Sequence, residues 1–233
     1  GRFGAWLADL LLYLFGISPE LVHPEWSVCL VAFGGVSLSD EIVAREDLGG
    51  SLFAQRERAI AFAAAAVYGH PTFSIEVVGI TGTNGKTTTS YLTSAAIRGC
   101  GGRPGIVGTL GYRFEELDQT ATHTSPEADE LARIAATMRD RGATHLVMEV
   151  SSIALSAARA DAVRFRVAAF TNLTHDHLDY HGTMESYAAA KERLFFELSP
   201  GAAAINVDDA FGARLAEKVA RQMEVAGIQV TRG

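Results

Sequence analysis

The chain has 233 residues, a net charge of −7 and a pI near 5.5, with 48% hydrophobic and 20% charged residues. This is enough for one large domain or two small ones with a buried core, and it excludes a disordered chain. The acidic balance argues against a nucleic-acid partner, and two isolated cysteines, Cys29 and Cys100, make neither a disulfide framework nor a metal-ligand pattern, which fits a reducing cytosol.

The first predicted element is the apolar run from Ala5 to Phe15, interrupted by Asp9. It is too short to span a bilayer and lacks the small-residue cleavage site of a signal peptide. It reads as a buried amphipathic helix, and no membrane insertion is expected. A strand at 27–33, a polar stretch at 37–51 and an alanine-rich helix at 55–68 follow. Gly69-His70-Pro71 then breaks the chain. A boundary is placed near 72–75, separating a small α+β N-terminal region, 1–74, from residues 75–233.

From residue 75 the pattern becomes regular. Short apolar runs predict strands at 75–80, 105–109, 145–150, 166–171 and 202–207, with a short one near 228–231. Three- and four-residue apolar spacing predicts helices at 86–98, 127–140, 183–198 and 209–226. This alternation implies an α/β fold, a mostly parallel sheet with helices on both faces. In such folds ligands sit at the carboxyl ends of the strands.

The most informative stretch is Gly79-Ile80-Thr81-Gly82-Thr83-Asn84-Gly85-Lys86-Thr87-Thr88, between a strand and a helix. A glycine-rich turn ending in Gly-Lys-Thr is a P-loop, which holds the phosphates of a nucleotide with backbone N–H groups. Lys86 supplies charge to the terminal phosphates, and the Thr87 hydroxyl reaches Mg²⁺. Gly82, Thr83, Asn84, Gly85 and Thr88 complete the candidate cradle. The usual pattern places glycine five residues before Gly85, where this chain has Ile80, so the loop is a variant.

Two further segments end predicted strands. Met148-Glu149-Val150-Ser151-Ser152 offers an acid that can hold Mg²⁺ near Thr87. Phe170 to Gly182 contains Thr171-Asn172-Leu173-Thr174-His175-Asp176-His177-Leu178-Asp179-Tyr180-His181. Its histidines and aspartates suit a mixed Mg²⁺ site better than zinc, because nothing else completes a zinc ligand set; His175 reads as a surface residue. Lys191, between alanines and Glu192 on a predicted helix, reads from spacing alone as a solvated surface lysine.

These segments, in this order from about 79 to 198, resemble the Mur ligases, the ATP-dependent amide ligases of peptidoglycan precursor synthesis. They are most similar to the branch that adds the third residue to UDP-N-acetylmuramoyl-L-alanyl-D-glutamate. The run Asp176-His177-Leu178-Asp179-Tyr180-His181-Gly182-Thr183-Met184 separates that branch from the folylpolyglutamate synthases, which share the fold and chemistry. The resemblance implies that Lys86 and Thr87 bind phosphate and the first Mg²⁺. Glu149 and His177 would bind Mg²⁺, and Lys191 would be carbamylated by CO₂, so that a cation becomes an anionic metal ligand. Lys86, His177 and Lys191 would be catalytic. Thr124, Ser125 and Pro126 match the segment that contacts the muramoyl substrate, as do Ser151, Ser152 and Arg159.

Implied partners are the UDP-N-acetylmuramoyl-dipeptide and an amino acid, meso-diaminopimelate or lysine, for a cytoplasmic monomer. Departures are Ile153 where this branch usually has His, Ala157 where Gln is usual, and the absence of the usual Asp-Ser-Arg from residues 1–74. The end of the central domain and the C-terminal domain are expected to be missing beyond Gly233. An alternative stays open: a truncated or degenerate Mur-like protein that binds nucleotide or a partner without ligating. A generic P-loop phosphotransferase is the third reading, and it leaves the later segments without a role.

Overall fold

A computed structural model describes residues 49–121 and 123–225. The N-terminal helix, the strand at 27–33, most of the polar stretch at 37–51 and the short strand near 228–231 lie outside the described residues. The chain divides into two compact units, Gly1–Ala59 and Ile60–Gly233. Helix α1 (Gly49–Val67) covers the expected alanine-rich helix. The architecture below is that of the second unit.

In chain order come a 3-10 turn (Pro71–Phe73), β1 (Glu76–Thr81), α2 (Lys86–Gly99), β2 (Pro104–Gly108), β3 (Gly111–Phe114), β4 (Leu117–Gln119) and α3 (Ala128–Asp140). Then follow β5 (His145–Glu149), α4 (Ser152–Ser156), β6 (Phe165–Phe170), α5 (Leu178–His181), α6 (Met184–Phe196), β7 (Ala202–Ile205) and α7 (Ala210–Val225). The sheet order is β4-β3-β2-β5-β1-β6-β7. Strands β2, β5, β1, β6 and β7 are parallel, as the alternation predicts.

Strands β3 and β4 add an antiparallel edge that the sequence pattern did not show. They are short, and Arg113, Glu115, Glu116 and Asp118 interrupt any apolar run. Charge and brevity are what an edge strand needs to avoid pairing further, and they also hide it from a hydrophobic pattern.

The central strands are apolar throughout because both faces are covered. Val77, Ile80, Leu146, Val147 and Met148 are all fully buried. Leu131, Ile134 and Met138 of α3 and Leu194 of α6 join Val77, Val107, Leu146 and Met148 in the main core. Side chains alternate along a strand, so Val147 and, two residues on, Glu149 turn to the opposite face. There α2 lies over β1, β2 and β5 and buries only the small side chains of Ser90 and Ser94.

Register sets the site. Ile80 pairs with Glu149, Thr81 with Phe170, and Phe170 with Ile205, so these strands end together. The loops that leave them meet at one edge of the sheet.

Candidate functional site

The loop after β1 is shaped by a residue that only glycine can be. Gly82 has φ +141°, and a Cβ there would lie 1.9 Å from Thr171 Oγ1. Gly85, at φ +83°, starts α2 with no side-chain cap. The first-turn N–H groups of α2 are therefore left to an outside acceptor, and the helix dipole favours an anion there. Lys86 folds back over the loop, donating from Nζ to the carbonyls of Gly82 at 2.9 Å and Thr83 at 2.8 Å. Burial lowers its pKa, while Glu149 and Asp176 oppose that shift.

The segment after β6 clasps this loop. Thr83 N–H donates to the Asn172 carbonyl, and Asn84 N–H to Asn172 Oδ1. Asn172 Nδ2 and Thr171 Oγ1 both donate to the Asn84 carbonyl, at 3.0 and 2.7 Å. Asn172 thus pairs with the Asn84 backbone as a strand would. The N–H groups of Thr83 and Asn84 are committed to the clasp, so only the start of α2 is left open to an anion. The clasp is itself held from behind, by Asn206 Nδ2 on the Thr171 carbonyl and Asp209 Oδ2 on Leu173 N–H.

Glu149 is 1% exposed and satisfied by neutral donors. Its Oε2 accepts from Thr87 Oγ1 at 2.9 Å and Thr109 Oγ1 at 3.2 Å, and its Oε1 accepts from Thr109 N–H at 3.0 Å. No Lys or Arg pairs with it among the described residues. A buried carboxylate that no Lys or Arg contacts, beside a threonine hydroxyl, is a hard oxygen donor set that fits a divalent cation. A cleft of about 360 Å³ lined by Thr87, Thr88, Tyr91, Leu92 and Leu110 opens beside it.

The residues matched to muramoyl-substrate contacts also converge. Thr109 Oγ1 and Thr124 Oγ1 lie 3.0 Å apart, and since the Thr109 proton goes to Glu149, Thr124 is the donor. Ser125 Oγ donates to the Glu149 carbonyl and accepts from Ser151 N–H, each at 3.0 Å. Ser151 caps α4, accepting from Ala154 N–H. Ser152 Oγ lies 2.9 Å from His181 Nε2. Arg159 pairs with Glu127 at 2.6 Å, and its Nε is buried without a partner. Pro126 is buried beside Ser125, and Ile153 and Ala157 stand on α4 and at its end.

Lys191 corrects its reading as a surface lysine: it is 1% exposed. Its Nζ donates to the Gly82 carbonyl at 2.9 Å and sits 4.4 Å from the centre of the Tyr187 ring. Burial, assisted by Lys86 and opposed by Asp176, pushes its pKa down to about 7. A neutral amine at that pH is the form that reacts with CO₂. His177 stands on an exposed turn at φ +50°, its Nε2 3.5 Å from Asp176 Oδ2. Among the described residues no three His, Cys, Asp or Glu side chains converge as a metal cluster. His175 is exposed, as expected.

Residues 80–230 match the Mur ligase middle domain. The chain belongs to the Mur ligase family. Its relatives include the UDP-N-acetylmuramoyl-L-alanyl-D-glutamate–2,6-diaminopimelate ligase of Geobacter metallireducens, 54% identical over 165 residues, covering 68% of this chain and 32% of the relative. The ligase of the same name from Xylella fastidiosa is 43% identical over 196 residues, covering 84% of this chain and 38% of that one. A solved diaminopimelate ligase of this kind superposes with a TM-score of 0.60 at 31% identity, over 73% of this chain and 34% of the other. A Mycobacterium tuberculosis folylpolyglutamate synthase with ADP reaches 0.56 at 17% identity, over 80% of this chain and 48% of that one, which shows a shared fold. The chain spans about a third of the length of the curated relatives it matches. Within the Mur ligase middle domain it is of the MurE type.

Two residues of this Mur ligase site carried no signal of their own in the sequence. Tyr187 is fully buried against both Thr83 and Lys191, four residues before the lysine on one helix face. Thr109 holds both oxygens of Glu149 from a turn with no motif.

Proposed function

We propose that the chain is the ATP-binding central part of an amide ligase that extends UDP-N-acetylmuramoyl-L-alanyl-D-glutamate with meso-diaminopimelate or lysine. Residues 75–233 form that central domain, and 1–74 a reduced region weakly like a UDP-sugar-binding domain. The observation that carries this reading is the uncapped start of α2, with Lys86 folded over it and Glu149 held against Thr87. A phosphate chain suits that cradle, and Thr87 and Glu149 would hold Mg²⁺. Magnesium would supply charge neutralisation of the phosphates and polarise the transferred group.

In the reaction expected of the family, the γ-phosphoryl group passes from ATP to the substrate's terminal carboxylate. The amine of the incoming residue then attacks the acyl phosphate, and phosphate leaves. Lys86 exchanges its carbonyl partners for phosphate oxygens, and the N–H groups of α2 hold the charge that develops. Ser125, Ser151, Ser152, Thr124 and Arg159 would contact the muramoyl substrate. Lys191, once carbamylated, would be an anion beside the loop and would join Glu149 and His177 as a metal ligand. A cytoplasmic location, monomeric state and absence of nucleic-acid partners go with this role. Among the described residues no helix is long and apolar enough to cross a membrane.

Calorimetry with ATP and Mg²⁺ tests the reading. The chain should bind, and Lys86→Ala should bind at least tenfold more weakly. Equal affinity in the two proteins defeats the assignment. Binding of UDP-N-acetylmuramoyl-L-alanyl-D-glutamate, lost in Arg159→Ala, separates the ligase from a Mur-like nucleotide binder.

A further inference from the structure

Helix α6 reaches the nucleotide loop at two points: Lys191 donates to the Gly82 carbonyl, and Tyr187 meets the next residue, Thr83, at 3.0 Å between hydroxyl oxygens. The direction of the second bond follows from counting donors. Thr83 Oγ1 has one proton and two acceptor positions. It accepts from Thr174 N–H at 2.9 Å and donates to the Thr174 carbonyl at 3.2 Å. The remaining position accepts, so the Tyr187 hydroxyl is the donor. Both side chains are buried, at 0% and 8% exposure, so no water competes for this bond. The Tyr187 ring also packs on His181, with centroids 5.1 Å apart, and its edge meets His177 at 6.2 Å.

We propose that Tyr187 is a positioning residue for nucleotide binding, its hydroxyl locking Thr83 so that the loop holds the start of α2 open for phosphate. This rests on the nucleotide reading above. A phenylalanine would fill the same space and leave the Thr83 oxygen short of one partner. The loop would then have to find its bound shape on ligand binding, which lowers affinity without unfolding the core. Thr83 and Tyr187 act through one bond, so their effects must not add.

The experiment is a mutant cycle read by ATP–Mg²⁺ calorimetry, with thermal melting alongside. Tyr187→Phe should bind ATP about three- to tenfold more weakly, as expected for one buried hydrogen bond. Thr83→Val should bind at least as weakly, and the double variant no more weakly than Thr83→Val. Thr83→Ser, which keeps the hydroxyl, should restore affinity; a residue that only fills the core would not show this rescue. Wild-type affinity in Tyr187→Phe, additive losses in the double variant, or no rescue by serine would each overturn the proposal. So would loss of the fold in both single variants, since the bond would then be a core contact. A wild-type chain that binds no ATP would instead remove the nucleotide reading, and this inference with it.

Discussion

Lys86 and Lys191 donate to the same oxygen, the carbonyl of Gly82, each at 2.9 Å. Two ammonium groups on one carbonyl repel each other, and no carboxylate hydrogen-bonds to either among the described residues. Burial and this proximity lower the pKa of Lys191, and burial lowers that of Lys86. The arrangement is relieved by an anion, whether phosphate at Lys86 or a carbamate formed on Lys191. The fold holds an electrostatic demand in place before any ligand arrives.

The stability of the chain should therefore depend on pH through Lys191. The unfolded lysine titrates near 10.5 and the folded one at about 7. Between those values the unfolded chain binds a proton that the folded chain does not, so stability rises with pH across the window. Below it, both states are charged and the full penalty of burial applies. Lys191→Met has no such proton. Urea unfolding in CO₂-free buffer should show the variant gaining on wild type at pH 6 and losing ground by roughly 2–4 kcal/mol towards pH 10. A difference that stays level from pH 6 to 10 would mean that Lys191 keeps its charge when folded.

Carbamylation gives a separate prediction. In the complete ligase, Lys191→Ala should lose most activity and regain part of it with formate or acetate, which place a carboxylate where the carbamate would stand. Undiminished turnover without added acid would remove Lys191 from the reaction.

Gly82→Ala tests the geometry of the loop. Its φ of +141° is costly for any side chain, by about 1–3 kcal/mol, before the contact with Thr171 is counted. Thr171 cannot swing away freely, because Oγ1 donates to the Asn84 carbonyl at 2.7 Å and lies 3.3 Å from that of Thr81. The melting temperature should fall by more than about 5 °C and ATP binding should be lost. A variant that melts and binds as wild type would show that the loop has another stable shape.

How much of this was legible in the sequence depends on what each residue's signal was. The parallel strands announced themselves because burial on both faces demands continuous apolar runs, such as Leu146-Val147-Met148. The glycine-rich turn from β1 into α2 was legible because its glycines and Lys86-Thr87 have few other uses together. Lys191 was not, since a lysine flanked by alanines looks solvated; only the resemblance to a family raised it, and only the packing of α6 explains its burial. The β3–β4 edge was hidden by its charges. Asn172 stood in a recognised segment, yet its part in clasping the loop depends on a contact across 88 residues of chain, which no local pattern encodes.

That contact is open to test. Asn172 accepts from Asn84 N–H and donates to the Asn84 carbonyl, each at 3.0 Å. Both bonds are exposed, so each is worth about 0.5–1.5 kcal/mol. Asn172→Ala should lower the melting temperature by about 2–8 °C and weaken ATP binding, because the freed loop must be ordered by the ligand. Asn172→Asp keeps the acceptor but loses the donor, and sets a carboxylate against the Asn84 carbonyl and near the phosphate cradle. It should melt close to the alanine variant yet bind ATP more weakly still, with the gap shrinking as salt is added. If the aspartate binds ATP better than the alanine at low salt, the side chain does not face the cradle in solution, and the clasp has to be assigned to the backbone bond from Thr83 alone.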